Sequence, residues 1–397
     1  MVASSSGGAG SPPPPPETHV EPFAPVLMKR YYATLDHLWT LVPPWAGSAV
    51  ASALVFLLGA TIRAEWLMIL VHFLKWSKGA DEPPSPASAP LEAADLAGWM
   101  KSRFAGFLHI WLIASLVGYV IYFGVGGFLH WYYYRMRRDS AHEWKCQPEK
   151  WLPPDLEWHE IKYGSTSLMI GNTLSSLLVC WVLNGGYSTI YYHVADFGWT
   201  WWLLSWPVVF IWQDYVTYLT HRLYHTPFLY KHFHKLHHTY KQPTAFSVTA
   251  IHPVEFIHVQ AIIISPMFLV PVHWVVMSVL LLYTYYHGIV DHSGINFKAH
   301  WWQPWQPDCL FHDNHHQYFH VNFGFNIFLW DKLHGTYRRK DRIYRENIFY
   351  GRGKPLEQCS QGELASEMAE RTSENASAYQ SSQHKQDMVN EVRQKLA

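Results

Sequence analysis

The sequence predicts an all-α protein, a polytopic membrane helical bundle of about four to six transmembrane helices that includes two hairpins, with a cytosolic histidine-rich helical cap. Three observations predict it. Of the 397 residues, 49 % are hydrophobic and only 15 % charged, whereas a soluble domain devotes about a quarter of its residues to charge. Several stretches free of Lys, Arg, Asp and Glu reach the roughly 20 residues that a spanning helix needs. The 26 histidines are concentrated, seventeen of them between His221 and His334, and many sit one helical turn apart.

The same composition excludes other classes. Thirty basic residues balance thirty acidic ones, so no global positive field points to nucleic acid. Cys146, Cys180, Cys309 and Cys359 lack CxxC spacing, which indicates neither a disulfide framework nor a thiolate zinc site.

In chain order, residues 1–40 read as an arm and lead-in. Its first 26 residues, with "SSSGGAGSPPPPPE", lack the basic start and apolar run of a signal peptide and are expected to be disordered and cytosolic. Residues 41–163 hold the N-terminal membrane helices: a weaker span at Pro43–Ile62 and a strong one at Phe104–Tyr134, which ends in the aromatic belt Trp131, Tyr132, Tyr133 and Tyr134. Residues 164–350 form the histidine-rich region. Gly164–Ala195 and Phe197–Gln213, broken at Asp196 and Gly198, read as one hairpin; Phe256–Val290, with Pro266 and Pro271 near its middle, reads as a second that turns at "SPMFLVPVHW". Residues 351–397 are a polar tail, solvated from Glu363 onward.

The basic run "RMRR", Arg135 to Arg138, follows a span directly and is therefore placed in the cytosol. Each hairpin returns the chain to the side it left. Residues 214–255 and 291–397 are then cytosolic as well, and every histidine cluster falls on one face of the membrane.

"HRLYH" sets His221 and His225 at i, i+4; "HKLHH" sets His234, His237 and His238 at i, i+3, i+4; "HDNHH" repeats that spacing with His312, His315 and His316. On a helix these positions share a face, so the three rings of "HDNHH" are expected to converge on one point. A lone HxxxH pair reads equally well as interfacial anchoring. Two triples and a pair on one side of a membrane point instead to a metal centre, and eight imidazoles exceed what one ion can use. Imidazole suits Zn, Cu, Fe or Ni, and ligand type alone does not separate dizinc hydrolysis from di-iron oxidation.

These boxes, with "IHPVEF" at 251–256, "DHSG" at 291–294 and "WDKLHGTY" at 330–337, resemble the fatty acid hydroxylase and sterol desaturase superfamily over about residues 165–350. "PTAFSVTAIHPVEF" followed by "HHQYFHVNFGFNIFLWDKLHGTY" is similar in wording to sterol C-5 desaturases. The resemblance implies a multi-pass enzyme of the endoplasmic reticulum membrane, with both termini cytosolic. It implies two non-haem iron ions, molecular oxygen, electrons from cytochrome b5 and its reductase, and a lipid substrate such as a sterol. Carried over by position, it makes His221, His225, His234, His237, His238, His312, His315 and His316 iron ligands and adds His292, with His252 or His287 as a further one. His252 reads equally as a helix cap before Pro253. His287 lies five residues before His292, off a common helical face.

A ligating imidazole normally donates its second N–H to an acceptor. Asp214, seven residues before His221, together with Asp291, Asp313 and His320, are candidates for that support, whereas Asp331 reads as helix-end solvation. His232, His258, His273 and His334 read as structural. Within the superfamily, 4-methyl sterol oxidation and fatty acid or sphingolipid hydroxylation stay open. From other classes, a non-redox metal-binding protein or transporter would favour polar groups near the bilayer midplane, and a membrane haem protein would need facing histidine pairs.

Overall fold

The computed structural model describes residues 65–77, 96–148, 150–339, 341–344 and 353–366, with isolated positions between 34 and 54. The chain divides into two compact units, residues 1–49 and 50–397, and only the second is described at length. The expected N-terminal arm, most of the expected span Pro43–Ile62 and the tail beyond residue 366 lie outside the described residues.

The described elements are almost wholly helical, as the sequence predicts: α1 (Glu65–Ser77), α2 (Leu96–Arg103), α3 (Phe107–Met136), α4 (Pro154–Leu183), α5 (Gly198–Tyr224), α6 (Pro253–Ile264), α7 (Trp274–His292), α8 (Cys309–Tyr318) and α9 (Leu329–His334). Extended structure among the described residues is confined to two pairs of two-residue strands and an isolated bridge. In one pair, β1 (Ile190–Tyr191) runs parallel to β2 (Val272–His273) and joins the α4–α5 connection to the α6–α7 turn.

Helices α3 and α4 are long and apolar enough to cross a bilayer, and their packing inverts the pattern of a soluble bundle. Leu108, Leu112, Leu116 and Val120 of α3 point outward, while Ala114, Ser115 and Gly118 are buried. Facing them, α4 buries small and polar residues, among them Ser167, Gly171, Asn172, Ser175 and Ser176. Small residues let two membrane helices approach closely, because lipid supplies little hydrophobic drive between them. The approach is tight at Gly118, where an added Cβ would lie 2.8 Å from Asn172 Nδ2. Trp111 Nε1 donates to Thr173 Oγ1 (2.9 Å) and Tyr119 Oη to the Ser165 carbonyl (3.0 Å), pinning the pair. The residues of the expected aromatic belt fall in the closing π-helical turn of α3, His130–Met136, but Trp131, Tyr133 and Tyr134 are buried there, packed against protein rather than facing lipid.

Several element boundaries differ from expectation. Helix α4 begins at Pro154, so the boundary expected between residues 163 and 164 falls inside it. Pro153 and Pro154 supply the start, since a proline at the first helical position gives up only an N–H that is orphaned there anyway. The arms of the first expected hairpin do not pack mainly on each other: α4 packs most heavily on α3, and α5 on α6 and α7. Helix α5 continues past Gln213 to Tyr224; at 1.5 Å per residue its 27 residues are about 40 Å long, enough to carry His221 beyond a hydrocarbon core of about 30 Å.

The second hairpin turns where the prolines predict. Helix α6 stops at Ile264, before a turn at Pro266–Leu269; Pro266 has no N–H for the helical ladder. With 12 residues α6 is about 18 Å long, short of a full span. His273 begins α7 by accepting from Val275 N (3.3 Å). The C-terminal ends of α5 and α7 and the N-terminal end of α6 meet on one side of the bundle, and the histidines gather there.

Candidate metal centre

Nine imidazoles form two abutting groups. His221, His225, His234, His238 and His315 make the first; His237, His292, His312 and His316 make the second. Within each group, one nitrogen per ring lies within 4.8 Å of every other. All nine are buried except His225, which is half-buried. The groups touch through His238 and His316, with ring centroids 5.1 Å apart.

The rings of "HDNHH" do not converge on one point but divide between the two groups, in keeping with a triple that can reach two adjacent metals. On α8, successive residues are turned by about 100°, so His312 and His316 share the second group while His315 turns into the first. "HKLHH" is not a regular α-helical segment: a π-helical turn, Tyr230–His234, leads into a 3-10 turn, His237–Thr239. Across it His234 and His238 still fall in the first group and His237 in the second, the same division of i and i+4 from i+3 that α8 shows. "HRLYH" keeps helical spacing, with His221 in the last turn of α5 and His225 as its C-cap.

The inward nitrogens fit ions. His238 Nε2 lies 3.0 Å from His234 Nε2 and 3.3 Å from His225 Nε2; His292 Nε2 lies 3.2 Å from His237 Nε2 and 2.9 Å from His312 Nε2. Two nitrogens bound at right angles to one ion, each at about 2.1 Å, would be about 3.0 Å apart. Burial, reinforced by repulsion among neighbouring imidazoles, holds His237, His238, His312, His315 and His316 well below the usual histidine range. These rings are neutral at neutral pH, the form that ligates.

The outward nitrogens show how the rings are aimed. His221 Nδ1 lies 2.8 Å from the Phe323 carbonyl, His315 Nδ1 2.7 Å from the Val321 carbonyl and His292 Nδ1 2.6 Å from the Gly288 carbonyl. Each carbonyl can only accept, so Nδ1 carries the proton and Nε2 faces the group. His234 Nδ1 pairs with Glu255 Oε1 at 2.7 Å, where Glu255 sits in the first turn of α6.

Two buried carboxylates hold the loop that supplies two of those carbonyls. Asp214 accepts from Asn326 N (3.0 Å), Asn326 Nδ2 (3.0 Å), Ile327 N (3.1 Å) and Trp330 Nε1 (2.8 Å). Asp331 accepts from Phe323 N (2.8 Å), Gly324 N (2.7 Å) and Thr336 Oγ1 (2.6 Å). Asp214 therefore acts one step further from the histidines than its spacing suggests, through the loop rather than on His221. Asp331, read as solvated, is fully buried.

The other expected supports lie elsewhere. Asp313 points away from its neighbouring histidines and accepts from Gln147 Nε2 (3.1 Å) and Gln317 Nε2 (2.6 Å), because on α8 it lies between the two ligand-bearing faces. Asp291 is buried, and its Oδ2 has no partner among the described residues. His320 belongs to neither group and its ring lies beside Phe319.

The structure does not bring His252 or His287 to either group. His252 caps α6, its Nδ1 accepting from Val254 N at 3.2 Å. His287 lies five positions before His292, so α7 turns it toward Tyr283 and Gln303. His258 bonds to Tyr224 Oη (2.6 Å), His273 to the Tyr192 carbonyl (3.1 Å) and His334 to Tyr215 Oη (3.1 Å), all structural contacts. Glu255, inside the quoted "IHPVEF", is the supporting residue that sequence reasoning misses; its signal is an acid in a helix's first turn beside a histidine box.

A cavity of about 80 Å³ opens onto both groups, reaching His221 and His234 of the first and His237 and His292 of the second. Its accessible wall is mainly apolar, from Val248, Ile251, Val259, Ile263, Ile289 and Phe325, while polar residues, Gln213, Thr217, Glu255 and Asn326 among them, also line it. Gln213 Nε2 donates to the Ile263 carbonyl at 2.5 Å. That bond fixes the amide orientation and leaves Oε1 as a buried acceptor without a partner among the described residues.

Residues 206–336 match the family model described as fatty acid hydroxylase. Over 212 residues the chain is 29 % identical to the Delta(7)-sterol 5(6)-desaturase erg3C of Aspergillus fumigatus, covering 48 % of this chain and 65 % of the relative. It is 34 % identical over 156 residues to the lathosterol oxidase of Rattus norvegicus, covering 38 % and 52 %. A third relative, the Delta(7)-sterol 5(6)-desaturase of Leptosphaeria maculans, is 27 % identical over 318 residues, covering 78 % and 84 %. The chain spans about half to two thirds of the length of the first two relatives. No solved structure matches the chain.

Proposed function

We propose, taking as premise that this chain carries a fatty acid hydroxylase family domain at residues 206–336, that it is a membrane-bound di-iron oxidase that desaturates a sterol in the manner of a sterol C-5 desaturase. The observation that carries the reading is the pair of buried imidazole groups opening on one apolar cavity. The names of the relatives support the sterol. In balance, a CH–CH unit loses two hydrogens to become C=C while dioxygen takes up two electrons and two further protons, giving two waters. Cytochrome b5 with its reductase is the proposed electron source, and the endoplasmic reticulum membrane, with the histidine face and both termini cytosolic, the proposed setting.

His221, His225, His234, His238 and His315 would hold one iron and His237, His292, His312 and His316 the other. Bound there, iron would supply the reductive activation of dioxygen that makes an unactivated C–H bond reactive. The chain's own residues do the rest. Apolar walls would face the reacting carbons of a lipid and exclude water, which protects a reactive centre from side reactions. Gln213 Oε1 offers the hydroxyl of a hydroxylated lipid an acceptor, fixing which carbons face the histidines. Glu255 and the loop carbonyls of Val321 and Phe323 keep Nε2 of His234, His315 and His221 turned inward.

Lipid profiling of cells with and without the chain, alongside a His315→Ala version, tests the proposal. A sterol intermediate is expected to shift only with the intact chain. A change confined to fatty acyl or sphingoid hydroxylation would overturn the substrate, and full activity of the His315 variant would overturn the centre. Two irons per purified chain without haem absorption is the expected metal content; zinc alone points to the non-redox reading. For Gln213→Leu the expected result is a roughly tenfold rise in KM with a smaller change in kcat, since the lost bond serves binding and alignment.

A further inference from the structure

A second cavity, of about 180 Å³, lies away from the imidazole groups beside the C-terminal end of α3. Arg135, Arg138, Lys145, Trp151 and Glu157 line it, with Thr244. Lys145 is only 3 % exposed, and no carboxylate among the described residues lies within ion-pair distance of its ammonium. Its Nζ sits over aromatic faces instead, 5.2 Å from the Trp151 ring centroid and 5.9 Å from that of Tyr134. The backbone cannot carry it outward: Lys145 bridges to Ile295, and the flanking bonds Cys146 N to Gly294 O (2.9 Å) and Asn296 N to Trp144 O (2.6 Å) lock the segment.

Arg138 stacks on the same indole, its guanidinium carbon 3.9 Å from the ring centroid. Stacking occupies the guanidinium face and leaves its N–H edge available. The one carboxylate of the cavity, on Glu157, is paired with His130 and also feels the more distant charges of Arg138 and Arg135. A buried cation without a counter-charge is costly, and buried charges are ordinarily paired. Burial correspondingly pulls the Lys145 ammonium down to about 8, against a partial opposing pull from Asp313. Trp131, Tyr133 and Tyr134 at this end of α3 are buried within the protein, and the basic run Arg135 to Arg138 that follows them is expected at the depth of lipid headgroups.

We propose that this cavity binds a phosphate group, held by the Lys145 ammonium and the Arg138 guanidinium over Trp151, as a site separate from the imidazole centre. Arg binds phosphate bidentately and Lys binds it as a point charge. A lipid headgroup and free phosphate share this chemistry, and the test distinguishes them.

The full chain is placed in nanodiscs of phosphatidylcholine alone, of phosphatidylcholine with phosphatidic acid, and of phosphatidylcholine with oleate. A detergent sample with inorganic phosphate completes the set. Melting temperature and retained lipid, by mass spectrometry, are read for the wild type, Lys145→Met, Arg138→Gln and the control Lys298→Gln, whose ammonium pairs with Asp308 at the surface. The wild type and the control are expected to gain thermal stability from phosphatidic acid and to retain about tenfold more of it than either cavity variant. A gain from inorganic phosphate as well identifies the phosphate alone as sufficient; a gain from the lipid only assigns the site to a headgroup. Lys145→Met removes a buried unpaired charge and is expected to fold without loss of stability in phosphatidylcholine alone, and the exposed Arg138 provides an independent variant. The proposal is overturned if neither phosphate source stabilises the wild type, if oleate does so equally, or if both cavity variants retain phosphatidic acid like the wild type.

Discussion

The two imidazole groups are built from the same three boxes but secured differently. In the first group, three of five rings have an outward nitrogen tied to protein: His221 to Phe323 O, His234 to Glu255 and His315 to Val321 O. In the second, only His292 is tied, to Gly288 O; Nδ1 of His237, His312 and His316 has no partner among the described residues. The first group is thus held largely by the protein itself, whereas an ion bound in the second would have to fix most of its rings. Preorganised ligands lose less freedom on binding, so the first group is expected to bind the tighter, less exchangeable ion.

The largest expected effect is indifferent to the distinction. His315→Ala in the first group and His312→Ala in the second should each reduce turnover by more than the roughly 10–100-fold that outer supports cost, measured in membranes against a matched expression level. If one variant keeps activity, only that group's partner is needed and the two-ion reading breaks. Staged chelation should separate the groups next: metal per chain is expected to fall from two to one in a fast phase and to zero in a slow one. In a His312→Ala background the fast phase should be missing. A single phase for both ions would erase the proposed asymmetry.

Glu255→Gln sharpens the comparison on one side. It replaces a charged acceptor by a neutral one, and metal affinity of the first group is expected to drop by about 10–100-fold while the fast-exchanging ion is unaffected. The smallest effect is expected from Asp331→Asn, which weakens charge-assisted bonds to Phe323 N, Gly324 N and Thr336 Oγ1. A loss of about 1.5–3 kcal/mol in stability, read by thermal melting, should come with a modest rise in exchange of the first ion. Exchange unchanged despite the lost stability would mean that the loop does not aim His221 and His315.

Much of this arrangement is legible in the sequence, for reasons of scale. Long uncharged stretches and paired prolines mark α3, α4 and the α6–α7 turn, because a bilayer punishes charge over many residues at once. The box histidines stand out by composition and spacing, and the resemblance supplies His292, which the boxes alone do not. What escapes the sequence depends on winding or on long-range pairing. The π-helical turn and the 3-10 turn on which His234, His237 and His238 sit are announced by no periodicity. Asp331 looks like a surface acid because its partners, the N–H groups of Phe323 and Gly324, are backbone atoms invisible to pattern reading. Asp214 shares a helical face with His221, yet its four donors come from residues more than a hundred positions away.

Neighbours along the chain belong to opposite groups at two places, His237 beside His238 and His315 beside His316, with ring centroids 5.6 Å and 5.9 Å apart. Consecutive Cα atoms stand 3.8 Å apart across a trans peptide, so two peptide units act as a ruler between the groups. Side-chain drift elsewhere in the bundle can tilt helices without rescaling that ruler. The separation of the two groups is therefore among the least evolvable quantities in the molecule: point substitution can reshape the cavity, while a one-residue insertion between either pair would pull the two groups apart.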